Sequence, residues 1–187
     1  MSIAIEKSKL LMGLFLASEG VFFAFLILAY VYFRNAISSG PTAASSLDPP
    51  VTAIYTVLLL ASSGTIWIAE KRLKANSPSR FRAWLLITVA LGAIFLVGQA
   101  REYARLLRHD VTVSRNLFAS SFFTLTGFHG LHVFLGLAAL ATMLGIAYSS
   151  SIGKKEILAF ESLALYWHFV DAVWIVIFSI VYLWILL

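Results

Sequence analysis

The sequence predicts an all-α membrane protein with five transmembrane helices. Three observations lead there. Apolar residues make up 60% of the 187-residue chain and charged residues only 12%, against about a quarter charged in soluble domains. The apolar residues gather in five long blocks instead of recurring at the intervals of a half-buried helix. Between the blocks lie short polar and basic segments of the kind that border a bilayer.

The blocks fall at residues 10–33, 51–69, 83–103, 117–148 and 163–187. At 1.5 Å per residue, each can cross a hydrocarbon layer of about 30 Å. The first follows Lys7 and Lys9, as a secretion signal would. It is longer than such a signal and lacks a small-residue cleavage site after it, so it is read as a retained helix. The second is entered through Pro49 and Pro50, where a missing N–H costs nothing. The fourth is long enough to tilt or to project beyond the lipid. Gly13, Ala17, Gly20 and Ala24 form a stripe of small residues on the first helix, and Ser120, Thr124 and Gly127 form one on the fourth. Both predict close helix approach. Trp67, Trp84 and Trp184 stand near block ends and read as interfacial anchors. Trp167 and Trp174 are seven apart and share one helix face. The connecting segments RNAISSGPTAASSLDPP, EKRLKANSPSRFR, ARLLRHDVTVSRN and SSSIGKKEILAFE read as loops. Residues 1–187 thus read as one transmembrane domain, without a soluble module or an internal repeat.

The net charge of +5 encodes topology and does not point to a nucleic-acid partner. With five spans, the N-terminus and loops 2 and 4 share one side. They carry Lys7, Lys9, Lys71, Arg72, Lys74, Arg80, Arg82, Lys154 and Lys155. The other side has Arg34, Arg101, Arg105, Arg108 and Arg115. Cytoplasmic loops retain Lys and Arg, which predicts a cytoplasmic N-terminus and an external C-terminus. Cysteine is absent, so the chain has no disulfide, no iron–sulfur cluster and no thiolate-bound copper of its own.

The candidate functional residues are ionisable groups at membrane depth. Glu19 lies near the middle of the first helix, and His129 and His132 lie within the fourth. Glu102 sits at the outer end of the third. Glu161, His168 and Asp171, spaced by two turns and one turn, share a face in the inner half of the fifth. A central charge costs about 2.5–3.5 kcal/mol on insertion scales. Three readings compete for these residues. In the first, His129 and His132, three apart, ligate a metal or haem, with His168 as a third nitrogen. The Glu-x-x-His repeat of di-iron bundles is missing, although Gly127 and Gly130 leave room for a haem. In the second, Glu19, Glu102, Glu161 and Asp171 form a proton or ion path. The paired broken helices of transporters are missing. In the third, the groups hydrogen-bond across helices, which contributes about 0.6–2 kcal/mol each in lipid. The residues favour the third reading and leave the others open.

Four stretches carry a resemblance: GLFLASEGVFFAF from Gly13, GQAREY from Gly98, FFTLTGFHGLHVFLGL from Phe122 and FESLALYWHFVDAVWIVIFSIVYL from Phe160. In order and spacing the chain resembles subunit III of the haem–copper respiratory oxidases over nearly its whole length. YWHFVDAVW looks more like the cytochrome c oxidase branch than the quinol oxidase branch. The resemblance implies a non-catalytic accessory subunit in a bacterial inner membrane. It implies no catalytic residue, metal or redox cofactor in this chain, with haem and copper held by partner subunits. It further implies direct packing on subunit I, a complex that includes subunit II and a subunit IV, bound phospholipid, and support of proton uptake. Glu19 matches the family's buried acid in a Ser-Glu pair. Glu102, His129, His132, Glu161, His168 and Asp171 match its other polar positions, and His129 and His132 are expected to tie the fourth helix to acids on its neighbours, Glu161 or Glu19 among them. An accessory subunit of a quinol oxidase or nitric oxide reductase, a haem-bearing electron carrier and a proton or ion transporter are the alternatives. Many members have seven spans, and the five here match their last five. Longer members also carry an arginine near the inner end of the penultimate helix, where this chain reads Ala147 to Ser151 without one.

Overall fold

The computed structural model describes residues 2–33, 47–150 and 152–185. It contains five long helices: α1 (Ser2–Phe33), α2 (Pro49–Lys74), α3 (Pro78–Arg108), α4 (Leu117–Ser149) and α5 (Lys154–Val181). A single 3₁₀ turn, Leu183–Ile185, follows α5. All five helices are long and apolar enough to cross a membrane. The chain is a multi-pass, all-helical membrane protein.

Local chemistry sets the helix starts. The Asp48 carboxylate accepts the Val51 N–H at 3.4 Å ahead of Pro49. The Asn116 side chain accepts the Ala119 N–H at 2.8 Å to open α4. Glu156 reaches back to the Gly153 N–H at 2.8 Å and closes the entry to α5. Each bond satisfies a donor that a helix start leaves without an internal partner. Between α2 and α3 the turn is only Ala75–Ser77. It is made possible by Asn76 at φ 51°, a left-handed conformation that asparagine tolerates better than most residues.

The helices overrun the apolar blocks. Much of what the sequence suggested as loops 2 and 4 is helical: residues 70–74 extend α2, 78–82 open α3, and 154–161 open α5. Charged residues there reach out from the helix surface while the backbone keeps its own hydrogen bonds. Apolar residues inside these segments also pack. Phe81 and Phe160 are fully buried and meet edge to face with ring centroids 5.0 Å apart. At the other end α5 stops at Val181 instead of running to 187. Most of loop 1, residues 34–46, lies outside the described residues.

α2 and α3 form an antiparallel hairpin. α5 packs against α2, α4 and α1, and α4 also packs against α3 and α1. The largest buried side chains include Trp167 and Trp174 of α5 and Phe95 of α3. Two close approaches depend on glycine. A Cβ on Gly98 of α3 would come within 2.5 Å of the Tyr55 ring of α2. One on Gly92 would come within 2.8 Å of the Trp167 indole. The small-residue stripe of α1 behaves differently from expectation. Gly13 has nothing within 4 Å of where its Cβ would be, and Ala17 and Ala24 are exposed. α1 meets α4 and α5 through larger residues, among them Phe23 and Tyr30, both buried.

Gly98→Ala should therefore cost about 1–3 kcal/mol, the range for overpacking a tight contact. Gly13→Ala should leave the thermal midpoint in detergent unchanged or slightly raised. A comparison of the two midpoints checks both.

Candidate functional site

The polar side chains of the spans meet at helix interfaces. At the α1–α4 contact, His132 Nε2 lies 3.0 Å from a Glu19 carboxylate oxygen. The other ring nitrogen, Nδ1, lies 2.7 Å from the Phe128 carbonyl. A carbonyl can only accept, so Nδ1 carries a proton. Nε2 and Glu19 then share one further proton, as an imidazolium–carboxylate pair or as imidazole and carboxylic acid. Either way both ring nitrogens are engaged and no net charge is left over. The side chains are 13% and 21% exposed, a position close to the lipid-facing edge of the contact. Tyr166 of α5 donates to the His132 carbonyl at 3.0 Å and ties a third helix to the same place.

The α2–α5 interface carries a longer polar seam. Two α2 hydroxyls accept the indole N–H groups of α5: Ser62 from Trp167 at 2.9 Å and Thr56 from Trp174 at 3.0 Å. Each hydroxyl passes its own hydrogen to a carbonyl in its own helix, Leu59 or Thr52. Every donor and acceptor in these two pairs is thus used. Ser63 stands between His168 Nδ1, at 3.0 Å, and a short hydrogen bond to Asp171. When Ser63 donates to Asp171, the His168 Nδ1–H donates to Ser63. Towards the end of the seam at the α2–α3 turn, Lys74 is 2.6 Å from Glu70 and 3.0 Å from Glu161.

At the opposite end of the bundle, Tyr182 donates to Glu102 at 2.7 Å, and Thr52 lies 3.4 Å from the same carboxylate. Arg105 stands 3.9 Å from Glu102 and 3.8 Å from Asp48. A cavity of about 270 Å³ opens here, lined in part by Tyr55, Gln99, Glu102 and Trp174. Between α3 and α4, Gln99 donates to the Thr126 carbonyl at 2.8 Å. Thr126 gives its hydrogen to the Phe122 carbonyl at 2.7 Å, so Tyr103, 2.6 Å away, donates to Thr126.

His129 departs from this pattern. It is fully buried, yet neither ring nitrogen has a hydrogen-bond partner among the described residues. Its ring stacks on Trp174 with centroids 4.8 Å apart and meets Phe95 edge to face at 6.1 Å. The expected bond from this imidazole to an acid is not formed, because the neighbours facing it are rings. Glu161 bonds to Lys74 rather than to a histidine of α4. Sequence reasoning missed the hydroxyl partners on α2 and the roles of Lys74 and Tyr182. The spacing held part of the signal: Thr52, Thr56, Ser63 and Glu70 recur at intervals of four and seven along α2, though Ser62 falls outside that series. Among the described residues no group of three or more His, Asp or Glu side chains converges as a metal site.

Residues 3–186 match the family model described as cytochrome c oxidase subunit III. The chain belongs to that family. It is 37% identical to cytochrome c oxidase subunit 3 of Corynebacterium diphtheriae, over 90% of this chain and 83% of that protein. It is 36% identical to the subunit 3 of a Synechocystis species, over 91% and 72%. It is also 33% identical to cytochrome bo(3) ubiquinol oxidase subunit 3 of Pseudomonas aeruginosa, over 91% and 81%. The chain is accordingly a subunit III of a haem–copper oxidase, of the cytochrome c or the quinol type.

The two histidines should respond differently to substitution. His132→Phe strands Glu19 at membrane depth and should cost about 1–3 kcal/mol. His129→Phe removes two unpartnered nitrogens from a ring-lined site and should leave stability unchanged or raised. Thermal melts of the detergent-solubilised protein read both.

Proposed function

We propose that this chain is the non-catalytic accessory subunit III of a cytochrome c oxidase. It stabilises subunit I, holds structural phospholipid and supports proton uptake during aerobic electron transport. The observation that carries the scaffold reading is the use made of the polar groups. Of the seven polar residues named from sequence, all but His129 are bonded to a side chain of another helix or, for Glu102, also to Tyr182 beyond α5. Groups already engaged with each other hold helices in register and are not free to ligate or to turn over a substrate. Phospholipid and partner-subunit contacts fit the apolar outer surface of α1, which among the described residues lacks a helix neighbour on the side of Gly13 and Ala17. In this reading a lipid or another subunit takes up that face.

Subunit I is the direct partner in this reading, with subunit II and a subunit IV in the same complex. The site is a bacterial inner membrane. The excess of Lys and Arg on the N-terminal side supports a cytoplasmic N-terminus and a periplasmic C-terminus, with residues 1–187 as one transmembrane domain. Cytochrome c as donor is supported by the YWHFVDAVW stretch and by the higher identity to the cytochrome c relatives than to the quinol relative. A quinol oxidase is the second reading, since that relative also matches over most of the chain.

Co-purification in mild detergent tests the assignment. The expected partners are a haem-bearing subunit I and a subunit II with a copper-binding pair of cysteines. A subunit II without that pair points to the quinol branch, and a Soret band from the isolated chain contradicts the scaffold reading. The chain has no cysteine, which makes topology simple to measure. A maleimide that cannot cross the membrane should label Asp110→Cys in intact cells and label Ser77→Cys only after the cells are opened.

A further inference from the structure

The cavity at the Glu102 end of the bundle has a make-up that the scaffold role does not use. It measures about 270 Å³, and Tyr55 of α2, Phe95 of α3 and Trp174 of α5 give it aromatic walls. Tyr55 lies close to α3 because Gly98 has no side chain: a Cβ there would stand 2.5 Å from the Tyr55 ring. The charged lining among the described residues is Asp48, Glu102, Arg101 and Arg105. Two carboxylates against two guanidiniums leave no formal net charge, so the cavity selects neither an anion nor a cation. Val51 and Arg101 line it and are also exposed, which makes the space reachable from outside the bundle.

Glu102 has acceptor capacity left over. A carboxylate can accept about four hydrogen bonds, and Glu102 takes one short bond, from Tyr182 at 2.7 Å. Its other contacts are long or shared. The Thr52 hydroxyl stands 3.4 Å from both carboxylate oxygens but spends its single hydrogen on the Asp48 carbonyl, at 3.0 Å. Arg105 is 3.9 Å away and divides its charge between Glu102 and Asp48. The Asp48 backbone adds the weakest contact. The polar groups of the aromatic end are committed elsewhere: the Trp174 N–H goes to Thr56 and the Gln99 amide nitrogen to the Thr126 carbonyl. A cavity without net charge, with aromatic walls and one under-used acceptor, is complementary to a neutral aromatic ring that carries a hydroxyl. Ring packs on ring edge-on or offset, and a hydroxyl bonded to a carboxylate is of the stronger, charge-assisted kind. We infer that this cavity binds a neutral hydroxylated aromatic, its hydroxyl donating to Glu102 and its ring held among Tyr55, Phe95 and Trp174. The ring of a membrane hydroquinone and a water-soluble phenol share this chemistry. The inference adds a ligand site to the scaffold role and does not rest on which electron donor serves the complex.

The test uses the full chain in phosphatidylcholine nanodiscs and two photoreactive probes, a phenol bearing a trifluoromethyl diazirine and its methyl ether. The two differ in the hydroxyl hydrogen alone. After illumination, mass spectrometry locates and counts the labelled residues. The phenol should label the cavity lining, Tyr55 and Trp174 first, and do so saturably. The ether should label the same residues about tenfold less at equal concentration, the effect of losing one hydrogen bond to a charged group. Glu102→Gln should bring the phenol down towards the ether. Val51→Trp, an exposed position at the start of α2, fills the cavity without touching the Glu102 contacts and should abolish labelling by both probes. If Glu102→Gln fails to fold, the ether and Val51→Trp still decide the outcome. Unlabelled competitors then separate the sources. Competition by decylubiquinol supports a membrane hydroquinone as the occupant, and competition by 4-propylphenol alone supports a soluble phenol. Equal labelling by phenol and ether in wild type, or labelling that survives Val51→Trp, overturns the inference and leaves the scaffold reading as it stands.

Discussion

The structure depends on one constraint. A hydrocarbon layer offers no hydrogen-bond partner, so a polar side chain inside it must find one within the bundle. The α2–α5 interface shows the consequence most fully. Two indoles and an Asp–His pair of α5 face three hydroxyls of α2, and each α2 hydroxyl near an indole also satisfies a carbonyl of its own helix. Sliding α5 against α2 by one turn would break all of these bonds together. The seam therefore sets register as well as affinity. α5, so placed, becomes the element on which α4 and α1 assemble.

The scaffold reading proposed above draws on the same accounting. His132 has both nitrogens occupied, one by a carbonyl and one by Glu19, and would have to give up a bond to ligate a metal. His168 uses Nδ1 towards Ser63. The titratable groups are also not continuous along the seam. The Ser63–His168–Asp171 group and the Glu102–Tyr182 group have the Trp174–Thr56 bond between them, and an indole N–H donates without handing on a proton.

Much of the fold was legible in the sequence, because lipid imposes a simple pattern. Five long apolar blocks can only be helices, and the Pro49–Pro50 pair marked the start of the second. The ends were less legible. Charged residues such as Lys74 and Arg82 look like loop residues, yet they sit on helix ends that continue past the apolar blocks. The site was legible as a set of residues and less so as a set of pairs. A partnership of the α4 histidines with Glu19 or Glu161 could be named because acids and imidazoles are few, and His132 with Glu19 forms one. The hydroxyl partners could not, since serine and threonine inside an apolar helix usually satisfy their own backbone and give no sign of a second bond. His129 misled for a related reason. Sequence shows that a residue is polar at depth, but whether it faces a carboxylate or a ring depends on rotation of the whole helix.

A double-mutant cycle across the α2–α5 seam tests this account most directly. Thr56→Val, Trp174→Phe and the double variant would be compared by reversible unfolding in detergent. Interhelical bonds of this kind predict a coupling of about 0.6–2 kcal/mol, the two single changes costing more in sum than the pair made together. Strict additivity would show that the indole and the hydroxyl lie near each other without holding the helices in place, and the polar seam would lose its role as the organising element of the subunit.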